Sequence, residues 1–373
     1  MTPTSMLALL TLLSHSLAWP EAEGRELHYA TVPGYFLQDD ASTDPDGFDY
    51  AAWNFGLVNR TYPTDDWFDP ARSKTQWQRF AYWLDHLNNG CRRQERVRYK
   101  LLVFGRHGQG WHNTAESFYG TPAWNCYWAE LDGNGTSVWA DALLTGQGLA
   151  EAARANGYFA SRFSHQGMPY FDSYYVSPLS RCVQTANATF ASVDLPADRP
   201  FRPVIKELLR EGISVHTCDR RSTRSRIRRF APASFAFEPA FAEADELWQG
   251  GGPDGRGETE AHALTRAKAL LDDVFAHDDG MTISLTSHSG QIASLLTALR
   301  HRPFSLGTGQ IIPVLVRASA AVEEREEPRA SGTAPGFTRE VTCTAPPVTS
   351  IAGTGCVCST GTLATATMSM MQI

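Results

Sequence analysis

The chain has 373 residues, 42% of them apolar and 20% charged, and carries a net charge of -7. That is the composition of a folded globular protein, long enough for one large domain or two ordinary ones. The acidic balance excludes a general nucleic-acid binder. The seven cysteines, Cys91, Cys126, Cys182, Cys218, Cys343, Cys356 and Cys358, show no Cys-x-x-Cys spacing of the kind that marks zinc, and their odd number leaves at least one unpaired.

Residues Met6 to Leu13 form a short apolar run, and Ser16-Leu17-Ala18 resembles a small-residue cleavage site, so residues 1–18 read as a secretory signal peptide, although Met1 to Ser5 hold no Lys or Arg. With that signal the chain is secreted; without it the chain is a cytosolic relative. The run is shorter than the roughly 20 apolar residues a membrane span needs, and no other stretch approaches that length, so no transmembrane segment is expected. The triplets Asn59-Arg60-Thr61, Asn134-Gly135-Thr136 and Asn187-Ala188-Thr189 are glycosylation sequons, compatible with secretion.

Gly34 to Tyr62 has no periodicity and reads as loop. Trp77, Phe80, Leu84 and Leu87 fall at helical spacing behind Ser73 as a candidate N-cap, and Asn88-Asn89-Gly90 marks the stop. Leu101 to Phe104 is an apolar strand that runs straight into Arg106-His107-Gly108. Gly105 and Gly108 bracket this pair with residues that permit a sharp turn and close approach of a ligand. Asn113 to Trp139 is rich in Gly and aromatics, and periodicity does not settle its structure.

Ala150 to Phe163 reads as helix and Tyr174 to Val176 as strand. The strand stops at Ser177-Pro178, and Arg181 to Ser192 is again helical. The apolar residues of Ile205 to Arg210 are followed by Glu211-Gly212 and an arginine-dense run, Arg220 to Arg229, whose default reading is a solvated basic surface. Thr259 to His277 predicts a helix with Leu264, Ala267, Leu271 and Val274 on one face. Thr282 to Thr286 predicts a strand leading into Ser287-His288-Ser289-Gly290, Ile292 to Arg300 a helix, and Ile311 to Val316 the last strand. Alternating strands and helices imply an α/β fold, a largely parallel sheet covered on both faces. Beyond Ala318 the Ser, Thr, Ala, Gly and Pro content predicts a disordered low-complexity tail over residues 319–373.

In an open α/β sheet, ligands bind beyond the carboxyl ends of the strands. Three such ends carry Arg106-His107, Arg181 and His288, and together these would form a cationic cradle for a dianionic phosphoryl group. The motifs Arg106-His107-Gly108 with Asn113, Ser177-Pro178-Leu179-Ser180-Arg181 with Thr185-Ala186, Leu209-Arg210-Glu211-Gly212, and Ser287-His288-Ser289-Gly290 stand in the order and spacing of a known family. The sequence from about Thr31 to Ala318 resembles the histidine phosphatase superfamily, branch 1. Val32 to Asp40, Gly105 to Asn113 and Trp124 to Trp139 look like its fungal phosphomutase-like members. The acid-phosphatase branch carries an Arg and a Pro soon after Arg-His-Gly and a late His-Asp pair, where this sequence has Gln109-Gly110-Trp111 and His288-Ser289.

The resemblance implies a three-layer α/β/α domain of phosphoglycerate-mutase type over residues 19–318. It implies a small phosphorylated substrate, no cofactor and no metal. His107 would be the phosphorus nucleophile, Glu211 the proton donor, and His288, Arg106, Asn113 and Arg181 the phosphate-binding groups. Glu207 lies one helical turn from Glu211 if that segment is helical, and competes for the proton-donor role. His107, His112 and His288 could be imagined as metal ligands, but no carboxylate stands at a helix-face spacing with them. The activity implied is metal-independent hydrolysis of a phosphate monoester. A phosphomutase and a non-catalytic binder of phosphorylated ligands are the alternatives.

Overall fold

The computed structural model describes residues 26–89, 97–251, 254–320, 335–340, 342–347, 349–351, 355–358 and 363–364. The signal-peptide reading falls outside these residues. The strands are β1 (Leu27–Thr31), β2 (Val97–Arg106), β3 (Ser173–Val176), β4 (Val204–Ile205), β5 (Ala236–Phe237), β6 (Arg256–Glu258), β7 (Thr282–Ser287), β8 (Ile311–Ala320) and β9 (Phe337–Arg339), with β10 (Thr349–Ile351), β11 (Gly355–Val357) and β12 (Leu363–Ala364) near the C-terminus. The helices are α1 (Asp65–Phe68), α2 (Gln76–Asn89), α3 (Trp111–Tyr119), α4 (Thr121–Cys126), α5 (Gly146–Gln166), α6 (Ser180–Phe190), α7 (Arg224–Phe230), α8 (Glu260–His277) and α9 (Ser289–Ala298).

A seven-stranded sheet runs in the order β1-β8-β2-β7-β3-β4-β5. The pairs β2–β7, β7–β3, β3–β4 and β4–β5 are parallel, whereas β8 runs antiparallel to both β1 and β2. Successive residues of β2 are buried on opposite faces, as strand geometry requires. Leu102 and Phe104 pack with Leu271 of α8 and Leu295 of α9, while Leu101 and Val103 pack with Trp77 of α2 and Phe159 of α5. The expected α/β/α layering is therefore present, and continuous burial explains why Leu101 to Phe104 of β2 read as an unbroken apolar run.

The expected helices hold with shifted ends. Helix α2 buries Trp77, Phe80, Leu84 and Leu87 as the spacing predicts, each contributing roughly 1.5–3 kcal/mol. Its start is set by Thr75 rather than Ser73. Thr75 Oγ1 accepts from the Gln78 N–H at 3.2 Å while Gln78 Oε1 accepts from the Thr75 N–H at 3.0 Å, a reciprocal capping box. Thr145 and Thr259 cap α5 and α8 through their side chains. On α8 the buried face is rotated from the predicted one: Leu264 is 38% exposed and Arg266 is buried. Arg266 is stable inside because Glu258 pairs with it at 2.7 Å and the carbonyls of Leu208, Arg210 and Glu211 accept its remaining donors. Within Asn113 to Trp139 the chain folds into most of α3, α4 and a turn, with Trp124 and Trp139 buried against each other.

The described part of the C-terminal segment is not the structureless tail that its composition predicts. Strand β9 pairs antiparallel with β6, and β10, β11 and β12 form a small sheet. Cys343 and Cys358 form a disulfide, the Cys343 N–H donates to the Cys126 carbonyl at 2.7 Å, and Cys126 is itself disulfide-bonded. Covalent links substitute for the large apolar residues this segment lacks. Changing Cys343 to Ser is expected to expose residues 335–358 to rapid proteolysis while leaving the seven-stranded sheet intact, which limited trypsin digestion read by mass spectrometry will check.

Candidate active site

The parallel register places Arg106 of β2 opposite Ser287 of β7 and Val176 of β3 opposite Thr286, so three strands end at one level. The His107 N–H donates to Ser287 O and the Ser177 N–H to Thr286 O, each at 3.0 Å, carrying the alignment into the loops beyond. Gly105 lies within β2 and makes no turn. Gly108 is needed because a Cβ there would sit 2.4 Å from the Gly148 carbonyl oxygen, so the close approach is to the first turn of α5. The loop is pinned further by Gly108 N–H to Thr185 Oγ1 at 3.0 Å and Gln109 N–H to Glu151 Oε2 at 2.8 Å.

These constraints gather His107, His112 and His288, with His107 ring centroids 5.3 Å from His112 and 5.0 Å from His288. His107 Nδ1 is 2.8 Å from the Gly108 carbonyl. A carbonyl only accepts, so Nδ1 carries the proton and Nε2 keeps its lone pair. Arg181 Nε donates to His288 Nδ1 at 3.2 Å, which puts the His288 proton on Nε2, 2.7 Å from Ser177 Oγ. The Arg181 guanidinium is 1% exposed and also donates to the Cys218 carbonyl at 2.7 Å, with Asp219 at 3.6 Å. Arg106 donates to the Leu306 carbonyl at 2.6 Å and, among the described residues, leaves its buried Nε–H without a partner.

Burial is the main cause that drives all three imidazoles well below the ordinary histidine value, and the positive charges of Arg181 and Arg106 push in the same direction. They are neutral at pH 7. Glu211 moves the other way: burial first, then the nearby Asp219 carboxylate, raises its carboxyl above the ordinary value. Its Oε1 accepts from the N–H groups of Gly212 and Gln291 at 2.9 and 3.0 Å, which fixes it at the first turn of α9 beside His288.

Glu207 is committed elsewhere. Its segment is a 3-10 turn, Glu207–Leu209, followed by extended backbone, so Glu207 and Glu211 do not share a helix face. Arg210 and Arg221 hold the two Glu207 oxygens at 2.8 and 2.7 Å, and Arg210 also grips both oxygens of Asp245. Arg221 is thus a buried structural cation and not part of a solvated basic surface. Asn113 Oδ1 accepts from the Gly110 N–H at 3.0 Å, capping α3, so the side chain can offer a ligand only its NH2 group. A compact set of potential metal-ligand atoms comes from His216, Cys218 and Asp219, all within 4.8 Å of one another. The Asp219 carboxylate there is already engaged by Ser214 Oγ at 2.6 Å and by Arg181.

The profile of the histidine phosphatase superfamily (branch 1) matches residues 128–313, a range that holds Arg181, Glu211 and His288 and begins after Arg106-His107-Gly108. A protein of Arthroderma benhamiae named "Probable phosphoglycerate mutase" is 45% identical over 302 residues, spanning 81% of this chain and 88% of that protein. The chain belongs to the histidine phosphatase superfamily, branch 1. "Phosphomutase-like protein 3" of Candida albicans is 34% identical over 290 residues, covering 77% of this chain and 79% of its own. Among solved structures, "Mycobacterial hydrolase 1" aligns with a TM-score of 0.36 at 18% identity, over 60% of this chain and 98% of that one.

In this histidine phosphatase superfamily chain, the structure brings together Arg106, His107, Arg181, Glu211 and His288. Sequence reasoning missed Ser177 and Asp219, which hold His288 and Arg181, and took His112 only as an imagined metal ligand. His112 is buried against His107, and its Nδ1 has no hydrogen-bond partner among the described residues. Its position directly before Asn113 in the Arg-His-Gly loop was the available signal.

Histidines whose folded pKa is depressed add stability that is present above the unfolded value, about 6.5, and lost as pH falls through the folded value, because the unfolded chain then binds more protons. Glu211, with a raised folded pKa, has the opposite slope: its contribution is present below its unfolded value, about 4.3, and lost as pH rises through the folded one. Below pH 6.5 the three imidazoles outweigh this single carboxyl. Calorimetric melting from pH 7.5 to 5 is therefore expected to show a falling Tm, and NMR titration to show no protonation of His107 or His288 near pH 6.5.

Proposed function

We propose that this chain hydrolyses phosphate monoesters through a phosphohistidine on His107 Nε2. The observation that carries this reading is the Gly108 carbonyl at 2.8 Å from His107 Nδ1, which leaves a neutral imidazole with its lone pair on Nε2 near the positive charges of Arg181 and Arg106. In the first step Nε2 attacks phosphorus and the ester P–O bond breaks. Glu211, whose carboxyl burial raises above the ordinary value, gives its proton to the departing oxygen. In the second step Glu211 takes a proton from water, the hydroxide attacks phosphorus, and the P–N bond breaks to release phosphate and regenerate neutral His107.

Arg106 and Arg181 stabilise the charge spreading over the phosphoryl oxygens, and Asn113 adds its NH2 donor. His288 Nε2–H would exchange Ser177 Oγ for a phosphoryl oxygen, at little cost because one hydrogen bond replaces another. No step requires a metal ion or an organic cofactor. The names of the two fungal relatives favour a second reading, in which a phosphoryl group already on His107 passes to a second oxygen of a phosphorylated substrate and the substrate's first phosphoryl group then moves to His107; that mutase must retain the doubly phosphorylated intermediate.

We further propose that the protein works outside the reducing cytosol. The Cys343–Cys358 disulfide persists in oxidising compartments, and the N-terminal apolar run is of the kind that directs export.

Turnover of an aryl phosphate in excess chelator, with acid-quench trapping of labelled enzyme, tests the mechanism. His107→Ala is expected to lose both label and turnover. Glu211→Gln should lower turnover of an alkyl ester by about 10²–10⁴. Glu207→Gln should lower Tm while retaining the chemistry. Full turnover by His107→Ala would overturn the proposal, and 3-phosphoglycerate isomerised faster than it is hydrolysed would favour the mutase.

A further inference from the structure

All five N–H donors of the Arg266 guanidinium are engaged. Its Nε and Nη2 donate to the two oxygens of Glu258 at 2.9 and 2.7 Å, and the remaining donors reach the carbonyls of Leu208, Arg210 and Glu211 at 3.1, 2.8 and 3.1 Å. Those three carbonyls belong to the short segment that carries Glu211. Glu258 takes the far end of the same segment: its N–H donates to Ile213 O at 2.6 Å, and its Oε2 accepts from the Ile213 N–H at 3.2 Å. One ion pair, with side chains 3% and 1% exposed, therefore grips the backbone on both sides of Glu211. Burying such a pair is costly, and only contacts of this completeness make it tolerable.

The pair is in turn held by the C-terminal segment. Burial acts to raise the Glu258 carboxyl, but Arg266, then His262 and the Ile213 N–H, hold it below the ordinary value. It is thus an acceptor only, and His262 Nδ1, 2.7 Å from Glu258 Oε1, carries the proton of that bond. The other side of the His262 ring meets Phe337 of β9, with centroids 5.0 Å apart. Phe337 stands opposite Glu258 in the β6–β9 pair, and Gly336 O accepts the Thr259 N–H at 2.9 Å. Gly336 and Phe337 therefore close over Glu258.

We propose that the Glu258–Arg266 pair positions the proton donor Glu211, and that Gly336 and Phe337 of the C-terminal segment hold this pair in place. This rests on the phosphatase reading and adds to it positioning residues on β6, α8 and β9. The Gly212 and Gln291 N–H groups fix the carboxyl end of Glu211, and the ion pair fixes its backbone end. Both ends matter because an acid must lie within hydrogen-bond reach of the leaving oxygen, and a misplacement of about 1 Å can cost on the order of 10²-fold in rate.

Two esters that differ in their need for an acid separate positioning from mere stability. With the full chain, kcat/KM reads phosphoryl transfer to His107, the step in which Glu211 protonates the leaving oxygen. Ethyl phosphate needs that proton, whereas para-nitrophenyl phosphate, whose leaving group is a stable anion, scarcely does. Arg266→Lys keeps the charge opposite Glu258 but brings three donors to five acceptors. It is expected to lower kcat/KM for ethyl phosphate by about tenfold or more and that for para-nitrophenyl phosphate by less than about twofold. Phe337→Ala removes only a partly buried ring and should show the same selective loss, severalfold in size. In Arg266→Lys, hydrogen exchange read by NMR should be about tenfold faster at the Gly212 and Gln291 amides, which bond to Glu211 Oε1, and unchanged in β2.

Equal losses on both esters in Arg266→Lys would mark a structural role and overturn the inference, as would unchanged turnover of ethyl phosphate. If Arg266→Lys does not fold, Phe337→Ala decides by the same comparison of esters. A selective loss in Arg266→Lys with none in Phe337→Ala would overturn the part assigned to the C-terminal segment. If the wild type turns over neither ester, the phosphatase reading fails and amide exchange still decides: faster exchange at Gly212 and Gln291 upholds the positioning of Glu211, and unchanged exchange overturns it.

Discussion

The guanidinium of Arg181 is the group on which the candidate site depends. It sits at the start of α6 with 1% exposure, and a bare cation so placed would be strongly destabilising. His288 Nδ1, the Cys218 carbonyl and the Asp219 carboxylate make it tolerable, and each comes from a different part of the chain. Those same contacts fix the site. By donating to His288 Nδ1 the arginine selects one tautomer, and its charge helps to keep the neighbouring imidazoles neutral. Asp219 balances Arg181 and also raises the Glu211 carboxyl, so one ion pair helps set the protonation of a base and of an acid.

This arrangement is delivered by the sheet. Parallel pairing of β2, β7 and β3 ends three strands at one level, and the hydrogen bonds from His107 to Ser287 and from Ser177 to Thr286 keep the following loops in step. A register slip of one residue would turn Arg106 to the opposite face and separate the motifs. Strand β8, antiparallel beside β2, contributes by covering the other edge of the central strand. Around this frame lie two kinds of buried charge. Arg210, Arg221 and Arg266 are tied off by carboxylates and carbonyls and hold loops together, whereas Arg106 keeps an Nε–H with no partner among the described residues. A donor left open in a buried site is costly in the free protein and useful to an anionic ligand.

Much of this was legible in the chain itself. The apolar run before Arg106-His107, the helical stripe Trp77, Phe80, Leu84 and Leu87, and the alternation of strands with helices predict the layered fold, because burial on both faces and a 3.6-residue period leave direct marks on composition. The order of the Arg-His-Gly, Ser-Pro-x-x-Arg, Leu-Arg-Glu-Gly and Ser-His motifs identified the family before any geometry. Where expectation and structure part, a nonlocal partner is responsible. Leu264 is solvent-facing because Arg266 finds Glu258 and three carbonyls, and the C-terminal segment is ordered where it pairs with β6 and is held by disulfides.

By itself the sequence determined which side chains are available for chemistry and roughly which elements carry them, since residue type and periodicity are local properties. It favoured Glu211 over its competitor Glu207 through the family resemblance alone. Only the tertiary structure separated them, by giving both Glu207 oxygens to arginines and setting Glu211 at the first turn of α9, and only it made His112 a neighbour of His107 and Ser177 the anchor of His288. Tautomer, protonation and partner choice depend on atoms brought together from distant positions in the chain, and no local pattern records which of them will meet.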